Sequence, residues 1–579
     1  MVVASSRNHG GLLAHESHGF VQLTARGLCH PACTAPPIPV SSGMLKLQEK
    51  LKVRYSIRLM LGLLTLAAGW LACNDYLSRR VWPLPVSWDF GTGKNVKWIA
   101  ELGSQTYANP TIHKGKVFVG TNNGSGYDSN FPSSVDLGVM LCFDAKDGSL
   151  LWQHSNQKLA VGRSQDWPLQ GVSSQAFADR DRLWYVSNRC EVVCLDTEGF
   201  YDDQNDGVKS EVSVRKTDAD VVWKVDMRKR FGVVPHNMSH CNVVVDRSRV
   251  YVKTSNGVGP SHQNLPAPNA PSFVVLDRKT GKTIWTDNSP KHIAHGSWGS
   301  PALATIAGKQ QVLFPGGDGW LYSFEPAGDG NGGSVLLWKF DCNPKTSKNV
   351  LSGRGTRNNL LTAPTVHDDK VYITMGQDPE HGIGPSFVWC ISPGALRGDI
   401  SPTLVNRSPS APAISFENGF QHCNLDAGDI EVPNPNSGLA WKYAGYDSNG
   451  DGKVNDSDSP LMNRSLSEVR IRNGRAYVND MEGVLHCVDA ASGKLLWHHE
   501  TLCTVWNSPL VTDDAVYVGN EDGEVIVLSV DETKGKPLPI ELAKIETPKY
   551  NSVYATPTGH KGVLYLVTRT QLIAIEESK

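Results

Sequence analysis

The chain has 579 residues, of which 56 are basic and 58 acidic, with no block of basic residues. A nearly neutral chain of this kind lacks the electrostatic footprint of a nucleic-acid-binding protein. Glycine (55) and proline (34) are abundant and the apolar runs are short and valine-rich, a composition typical of many strands joined by tight turns.

The N-terminus is the non-globular part of the chain. Residues 59–73 form a 15-residue apolar run after several basic residues. Such a run suits a secretion signal, which needs about 7–15 apolar residues, better than a membrane span, which needs about 20. We expect residues 1–43 to be an unstructured preface, with Met44 as an alternative start, 44–75 a signal peptide or membrane anchor, and 76–90 a linker. The protein is then exported to the periplasm or cell envelope, and contacts a membrane only through an uncleaved N-terminal segment.

Three segments of the chain share one pattern without a gap. They begin at Asp144, Asp277 and Asp489 and read D-x-x-[DST]-G-[KS]-x-[LI]-W, each after an apolar strand. Glycine supplies the positive φ of a tight turn, and the flanking apolar residues belong to two paired strands. The tryptophan falls at the same place in each return strand, where it can pack against the neighbouring unit.

A second pattern, two short strands around a polar turn, precedes each hairpin and recurs eight times. Four strands per copy at a period of about 40–60 residues predict an all-β, eight-bladed β-propeller. We assign it residues 91–579, with insertions near 197–218 and 393–440. Blade eight lacks its outer strand, so the strand around Trp98 is expected to complete that blade and close the ring. The tryptophans expected to pack blade against blade are Trp98, Trp152, Trp223, Trp285, Trp338, Trp441 and Trp497.

The D-x-x-[DST]-G-x-x-x-W hairpin resembles the repeat of pyrroloquinoline-quinone (PQQ) type propellers, over roughly residues 90–578. That superfamily includes quinoprotein alcohol dehydrogenases and a non-catalytic lipoprotein of outer-membrane assembly, so the resemblance implies a fold and not an activity. The chain has neither the adjacent cysteine pair typical of quinoprotein dehydrogenases nor a C-x-x-C-H haem motif. The family's quinone ligands and catalytic aspartate cannot be placed on positions of this sequence.

Four of the twelve cysteines share one strand position. In other blades valine or serine occupies it, so we expect a small-residue core position with buried thiols. These cysteines are Cys142, Cys194, Cys390 and Cys487. Disulfides remain open for a second group, whose pairing the sequence does not give. That group is Cys241, Cys342, Cys423 and Cys503.

One acidic loop, residues 447–458, matches the calcium pattern D-x-[DN]-x-[DN]-G with an acidic residue at position twelve. Calcium prefers a shell of oxygen ligands, and Gly452 permits the sharp turn. The turn-like flanking sequence indicates a free-standing loop, with a solvated acidic turn as the alternative. The predicted ligands are Asp447, Asn449, Asp451, the Lys453 carbonyl and Asp458.

Propeller strands alternate in direction, so loops that enter the innermost strands share a face with loops between the second and third strands. Several of these loops, including 256–262 and 377–385, are long and rich in histidine, arginine or tryptophan. This predicts a small-molecule or anion site at the channel mouth. The alternative is that the side chains only pack the rim. The candidate ligand-binding residues are His236, His240, His295, Trp298, Arg354 and Arg357.

The sequence thus favours an exported, non-catalytic binding or scaffold protein of the cell envelope. Its loop-rich face is expected to take an envelope protein or a small ligand. The alternative is a PQQ- and calcium-dependent dehydrogenase of alcohols or sugars, in which the quinone performs the chemistry. A hydrolase or lyase that uses the channel-mouth histidines is a third interpretation. Calcium and PQQ are the cofactors considered, and catalytic residues stay unassigned.

Overall fold

The computed structural model describes residues 83–211, 213–351, 355–380, 386–408, 422–530, 540–548 and 551–578. The predicted preface and the signal or anchor segment lie outside these residues. The described residues belong to the unit Trp82–Lys579 and are almost all in strands and turns, with one short α-helix, α1 (Met227–Phe231), and four single-turn 3-10 helices, Asn123–Ser125, Gly162–Ser164, Gly199–Asp202 and Leu425–Ala427. No helix in this part of the chain is long and apolar enough to cross a membrane.

Eight sheets, each with four antiparallel strands, follow one another as the blades of a propeller, and the sheet of blade 4 gains a fifth, parallel strand from the insertion in blade 5. Each alternates buried apolar side chains with turns, as expected for strands that pack on both faces. The chain enters with β1 (Val96–Glu101), and blades 1 to 4 are then β2 (Thr111–His113), β3 (Lys116–Asn122), β4 (Leu137–Asp144), β5 (Leu150–Gln157); β6 (Phe177–Asp179), β7 (Arg182–Val186), β8 (Glu191–Asp196), β9 (Val221–Asp226); β10 (Val244–Val245), β11 (Arg249–Lys253), β12 (Phe273–Asp277), β13 (Thr283–Asp287); β14 (Ala302–Ile306), β15 (Lys309–Pro315), β16 (Trp320–Phe324) and β17 (Leu336–Asp341).

Blade 5 contains an insertion of three further strands between its third and fourth strands. The first of them pairs in parallel with β17, and the other two form a separate hairpin. Blades 5 to 8 with this insertion are β18 (Thr365–His367), β19 (Lys370–Met375), β20 (Phe387–Ile391), β21 (Gly398–Asp399), β22 (Thr403–Asn406), β23 (Ile430–Pro433), β24 (Leu439–Tyr443); β25 (Arg470–Arg472), β26 (Arg475–Asn479), β27 (Val484–Asp489), β28 (Leu495–Glu500); β29 (Leu510–Val511), β30 (Ala515–Gly519), β31 (Glu524–Ser529), β32 (Ile540–Glu546); β33 (Thr558–His560), β34 (Val563–Val567) and β35 (Gln571–Glu576).

The N-terminal strand closes the ring, as predicted. β1 pairs antiparallel with β35, with Ile99 opposite Ile573. The Ser578 backbone N–H donates to Asn95 Oδ1 at 3.0 Å, which ties the two ends of the propeller together. Closure gives the last blade its fourth strand and leaves no gap in the ring of sheets.

The repeat tryptophans face the small-residue position on the adjacent strand. In blades 1 to 6 a β-bulge lies next to the pair formed by the tryptophan and the small residue, and it bends the outer strand there. The predicted cysteines occupy the small position, with Cys142 opposite Trp152, Cys194 opposite Trp223, Cys390 opposite Trp441 and Cys487 opposite Trp497.

All four of these thiols are buried, as predicted. The nine described cysteines are free thiols. The second group therefore forms no disulfide among the described residues. It comprises Cys241, Cys342, Cys423 and Cys503.

Five of the repeat tryptophans reach the start of the connection between the third and fourth strands of the next blade. The indole N–H donates to a backbone carbonyl of the turn at 3.0–3.1 Å, and burial of the ring stabilises the contact by about 5 kcal/mol gross at about 25 cal/mol per Å². The five such bonds run from Trp98 to Ala145, Trp152 to Thr197, Trp223 to Arg278, Trp285 to Pro326 and Trp441 to Ala490.

The glycine of each turn lies directly against that indole. A Cβ on Gly148 would lie 2.7 Å from the Trp98 ring, and one on Gly493 would lie 2.6 Å from Trp441. Both glycines also have positive φ, 75° and 73°. The repeat therefore requires glycine for two reasons, the left-handed backbone and the space that the neighbouring blade's tryptophan fills.

Among the described residues, blades 4 and 7 depart from this contact. Blade 5 carries its insertion where the turn would be, and the Trp338 indole in blade 4 instead donates to Gln311 Oε1 at 2.9 Å. Blade 8 has no connection between its third and fourth strands, because these are the last and first strands of the propeller. Blade 7, which precedes it, has Ala543 opposite Val527 instead of a tryptophan. Trp88, which precedes β1, packs in the core that contains Val527 and Ala543.

A buried ion cluster anchors the long connection between blades 4 and 5. Arg357 donates to Asp341 Oδ1 at 2.7 Å, and Lys345 donates to Asp341 Oδ2 at 2.9 Å. Burial alone would raise the pKa of Asp341, but the charges of Arg357 and Lys345 outweigh it and the pKa is lowered. The carboxylate therefore stays ionised in the interior, where it depends on both cations.

Gly493 and Gly474 in blade 6 form a matched pair for testing the turn glycine, since both have a φ of 73°. A Cβ on Gly474 would have nothing within 4 Å. We expect Gly474→Ala to lower the free energy of unfolding by about 1 kcal/mol, because positive φ strains a residue with a Cβ. Gly493→Ala should lose about 1–3 kcal/mol more, because its methyl collides with the indole. Urea denaturation measures both, and equal losses would show that the indole contact is unimportant.

Arg357 offers a second test of the fold. We expect Arg357→Met to lower the free energy of unfolding by about 3–5 kcal/mol, because it leaves the Asp341 carboxylate buried without its main partner. The matched control is Arg472→Met, which removes an exposed pair with Asp513 and should cost about 0–1 kcal/mol. Chemical denaturation gives both values. A loss for Arg357→Met as small as that of the control would contradict an anchoring role.

Candidate functional site

The loops that enter the innermost strands meet at the centre of the ring and enclose a cavity of 370 Å³. Every blade contributes to it two residues, which lie two and four positions before its innermost strand. The residues two positions before the strand are mostly polar: Asn109, Gln175, Asn242, Ser300, Ala363, Glu468, Ser508 and Thr556. At the position four residues before the strand, five blades carry an aromatic or imidazole ring: Tyr107, His240, Trp298, Trp506 and Tyr554. The other three blades carry Ser173, Leu361 and Leu466 there.

The described lining of this cavity is acidic rather than basic. It contains three carboxylates, Asp378, Glu380 and Glu468, and no lysine or arginine. PQQ is itself a carboxylate-bearing anion, and a buried carboxylate needs a cation or several donors. The described residues therefore do not fit PQQ. The amide and hydroxyl groups that line the cavity beside aromatic rings suit a neutral, hydrogen-bonding ligand. The carboxylates and aromatic faces also suit a cation.

A cluster of histidines lies beside the cavity on the same face. His236 precedes β10, His262 lies between β11 and β12, and His295 precedes β14. The blade-5 loop between β19 and β20 adds Glu380. Each of these four residues presents one nitrogen or oxygen of the kind that binds metals, and all four atoms lie within 4.8 Å of one another. Three imidazoles and a carboxylate are a common donor set for zinc and related ions.

The three imidazole rings are packed closely. Ring centroids are 4.3 Å apart for His236 and His295, 4.7 Å for His236 and His262, and 5.0 Å for His262 and His295. A Cβ on Gly257 would lie 2.5 Å from the His295 carbonyl and 2.7 Å from His236 Cβ. Glycine at this position therefore lets the two loops approach closely enough to bring the rings together.

Hydrogen bonding and burial set the state of the central histidine. His236 Nδ1 lies 2.8 Å from the Val258 carbonyl, so Nδ1 carries the proton and Nε2 carries the lone pair. Nε2 is buried and has no hydrogen-bond partner among the described residues. Burial, with a smaller contribution from His295, lowers the pKa of His236 to about 3. The ring is therefore neutral at physiological pH.

Asp378 and Trp298 contact His295 and hold its ring in the cluster. His295 is 1% exposed and its Nδ1 lies 3.1 Å from Asp378 Oδ2. The Trp298 ring packs edge-on against His295, with centroids 5.0 Å apart. His240 points to the cavity rather than the cluster, and burial lowers its pKa. Of the predicted histidines, the structure thus brings His236 and His295 together and places His240 beside them.

Of the two predicted arginines, the structure describes one. Arg357 lies in the buried ion cluster with Asp341 described above, and its Nε donates to the Asp318 carbonyl at 2.8 Å. Arg354 lies outside the described residues. His262 and Glu380 were not among the predicted site residues, although their loops were predicted to share this face. Their sequence signal was too weak to single them out, because no spacing links residues contributed by blades 3, 4 and 5.

The predicted calcium loop is folded around its own acidic side chains. Asp447 accepts hydrogen bonds from the Gly450 and Gly452 N–H groups at 2.7 and 2.8 Å. Asp458 accepts from the Ser448 and Asn455 N–H groups, both at 3.0 Å, and the Asn455 bond is the main cause of its lowered pKa. The other predicted ligands lie in the same turn: Asn449, Asp451 and Lys453.

Comparison with known proteins confirms the resemblance to PQQ-type propellers. The family described as outer membrane protein assembly factor BamB matches residues 439–538. The outer membrane protein assembly factor BamB of Shewanella oneidensis is 29% identical over 75 residues, which span 13% of this chain and 19% of that protein. Both matches concern only a part of the chain.

Two solved structures are similar over most of the chain at low identity. BamB from Moraxella catarrhalis is 12% identical with a TM-score of 0.46, and the similarity covers 82% of this chain and 98% of that one. The quinohemoprotein alcohol dehydrogenase ADHIIG from Pseudomonas putida HK5 is 13% identical with a TM-score of 0.47, covering 83% and 76%. One of these proteins is named BamB and the other an alcohol dehydrogenase, and similarity at this level assigns neither protein's role to this chain.

Proposed function

We propose that this protein is an exported binding protein of the cell envelope that docks another envelope protein on its loop-rich face. In this role it acts as a scaffold and not as an enzyme. The observation that carries the proposal is a pair of leucines on that face, Leu169 and Leu502, which are exposed and have a strained backbone. The partial match to BamB supports the same reading, since that relative is named as an outer membrane protein assembly factor.

The two leucines are unfavourable for the isolated protein in two ways. Leu169 is 50% exposed with φ of 62°, and Leu502 is 84% exposed with φ of 60°. The exposed part of an apolar side chain contributes no hydrophobic free energy to folding. In addition, positive φ in a bulky L-residue costs about 1–2 kcal/mol. Both lie in loops that lead to an innermost strand, and the adjacent Gln170 and the nearby Trp506 line the central cavity.

The surrounding hydrogen bonds hold each leucine in this conformation. The Leu169 N–H donates to Asp136 Oδ2 at 2.8 Å, and its carbonyl accepts from the Asn122 side chain. Thr501, next to Leu502, donates its N–H to the Gly483 carbonyl at 2.8 Å and its hydroxyl to the Cys503 carbonyl at 2.8 Å. Strain that the surroundings maintain in this way is typical of functional surfaces. A docked partner would bury both side chains.

A double variant, Leu169→Asn with Leu502→Asn, separates docking from folding. Asparagine tolerates the left-handed backbone better than leucine. We therefore expect the free energy of unfolding to stay the same or to rise by up to about 1 kcal/mol per site. If the leucines dock a partner, cells that carry this variant should nevertheless lose function, seen as less β-barrel protein in the outer membrane by quantitative proteomics.

The matched control is Leu542→Thr, which removes a leucine of 44% exposure from the outer strand of blade 7. Its cells should keep normal levels of outer-membrane protein. Normal levels in the double variant, while deletion of the whole gene lowers them, would show that these leucines do not dock the partner. Normal levels after gene deletion would contradict the assembly role itself.

We also propose that the loop 447–458 binds a structural calcium ion through Asp447, Asn449, Asp451, the Lys453 carbonyl and Asp458. A bound ion would stabilise the folded protein by about 2.7 kcal/mol at a concentration 100 times its Kd. We expect calcium to raise the Tm of chelator-treated full-length protein, and Asp451→Asn to reduce that rise. Asp202→Asn, in an acidic turn of blade 2, is the control and should leave the rise intact. No calcium-dependent change in Tm would contradict the proposal.

A further inference from the structure

We propose that His236, His262, His295 and Glu380 bind one divalent transition-metal ion at the mouth of the central channel. Zinc is the ion whose preferred nitrogen and oxygen donors and tetrahedral coordination match this set best. The site is separate from the calcium loop, which offers only oxygen donors. It does not depend on the docking function proposed above.

The central histidine has a buried ring nitrogen that no described residue satisfies. His236 is fully buried, and its Nδ1 proton is directed to the Val258 carbonyl. This bond leaves the Nε2 lone pair facing the interior without a hydrogen-bond donor among the described residues. A buried acceptor of this kind is unfavourable unless something fills it. A metal ion is a suitable partner, because it binds the neutral imidazole through that lone pair.

A buried carboxylate lies behind His295 and orients its ring. Asp378 Oδ2 lies 3.1 Å from His295 Nδ1, and Glu380 Oε2 lies 3.5 Å from the opposite nitrogen, Nε2. A carboxylate at one nitrogen and a ligand position at the other is the arrangement that orients metal-binding histidines. Asp378 is 5% exposed, so it can hold the ring without competition from water. We assign it the role of a positioning residue.

The backbone is adapted to bring these side chains together. Four loops from blades 3, 4 and 5 meet here, and Gly257 leaves room for their approach. His262 has a φ of 56°, and its N–H donates to the Gly259 carbonyl at 2.9 Å. Residues held in this unusual conformation cluster at ligand sites. The loops therefore fix three imidazoles in place before any ion binds.

The spacing requires only a small closure on binding. Ligand atoms around a tetrahedral zinc ion lie about 3.3 Å apart, given bond lengths near 2.0–2.1 Å, and the four atoms here lie within 4.8 Å. Glu380 is 43% exposed and can make most of this movement. Since Asp378, Pro379 and Glu380 also line the cavity, the ion would fasten the blade-5 loop to blades 3 and 4 and fix the shape of the channel mouth.

Metal titration of the full-length protein tests the site. After treatment with a chelator and dialysis, Zn²⁺ and Co²⁺ are added in competition with a chromophoric chelator, with calcium present throughout to saturate any oxygen site. We expect one equivalent of ion per chain, with a Co²⁺ spectrum of tetrahedral type. His262→Gln, a half-buried ligand whose loss disturbs packing least, should weaken binding at least about 100-fold, and Asp378→Asn about 10–100-fold.

The matched control is His240→Gln, because His240 lies on the same face but points to the cavity. It should keep one equivalent of ion at unchanged affinity. The Leu169→Asn and Leu502→Asn variant should also bind normally, which separates this site from the docking surface. Circular dichroism verifies that each variant is folded. No stoichiometric binding by the unaltered protein, or binding by folded His262→Gln at unchanged affinity, would overturn the proposal.

Discussion

The contact between a tryptophan of one blade and the turn glycine of the next is the interaction on which this propeller depends. The four-stranded sheets of neighbouring blades are separate, with no backbone hydrogen-bond ladder between them. The tryptophan–glycine contact therefore fixes the position of one blade relative to the next. The indole contributes buried area and one directed bond, for example from Trp152 to Thr197. The glycine contributes space and a left-handed turn. Neither partner works without the other, which explains why both recur in one short motif.

The position of this contact determines where function can lie. The turns between third and fourth strands lie on one face of the ring, and the loops around the central cavity lie on the opposite face. Since the repeat fixes only the first face, the loops of the second are free to vary in length and sequence. The histidine cluster, the strained leucines and the acidic lining all occur there. The scaffold thus holds in place side chains that are unfavourable for the isolated protein, such as the strained leucines Leu169 and Leu502.

The sequence predicted the fold well because its signals are local. Strand–turn–strand patterns and the spacing from Asp144 to Trp152 report contacts between neighbouring residues, and the missing strand of blade 8 identified the strand around Trp98 as its complement. The packing of Trp88 against blade 7 was not predicted. Blade 8 has no connection between its third and fourth strands, because the two ends of the propeller form these strands, and no local motif reports this property of the closed ring.

The candidate site was predictable only in outline. The alternation of strands placed the loops of His236 and His295 on one face, but Glu380 reaches them from blade 5, which no spacing reveals. Arg357 illustrates the converse difficulty. Its residue type and loop suggested a ligand contact, yet a carboxylate buried at Asp341 holds it inside the protein. Residue type alone does not distinguish a side chain that binds a ligand from one that supports the loop.

We propose that a partner in the cell envelope meets the loop-rich face of the propeller and not the hairpin face. Site-specific photocrosslinking in living cells distinguishes the two faces, with a photoreactive residue at position 502 on one face and at Lys279, in a hairpin turn, on the other. We expect discrete crosslinks to envelope proteins from position 502 and none from position 279. Crosslinks from position 279 alone, or none from position 502, would contradict it.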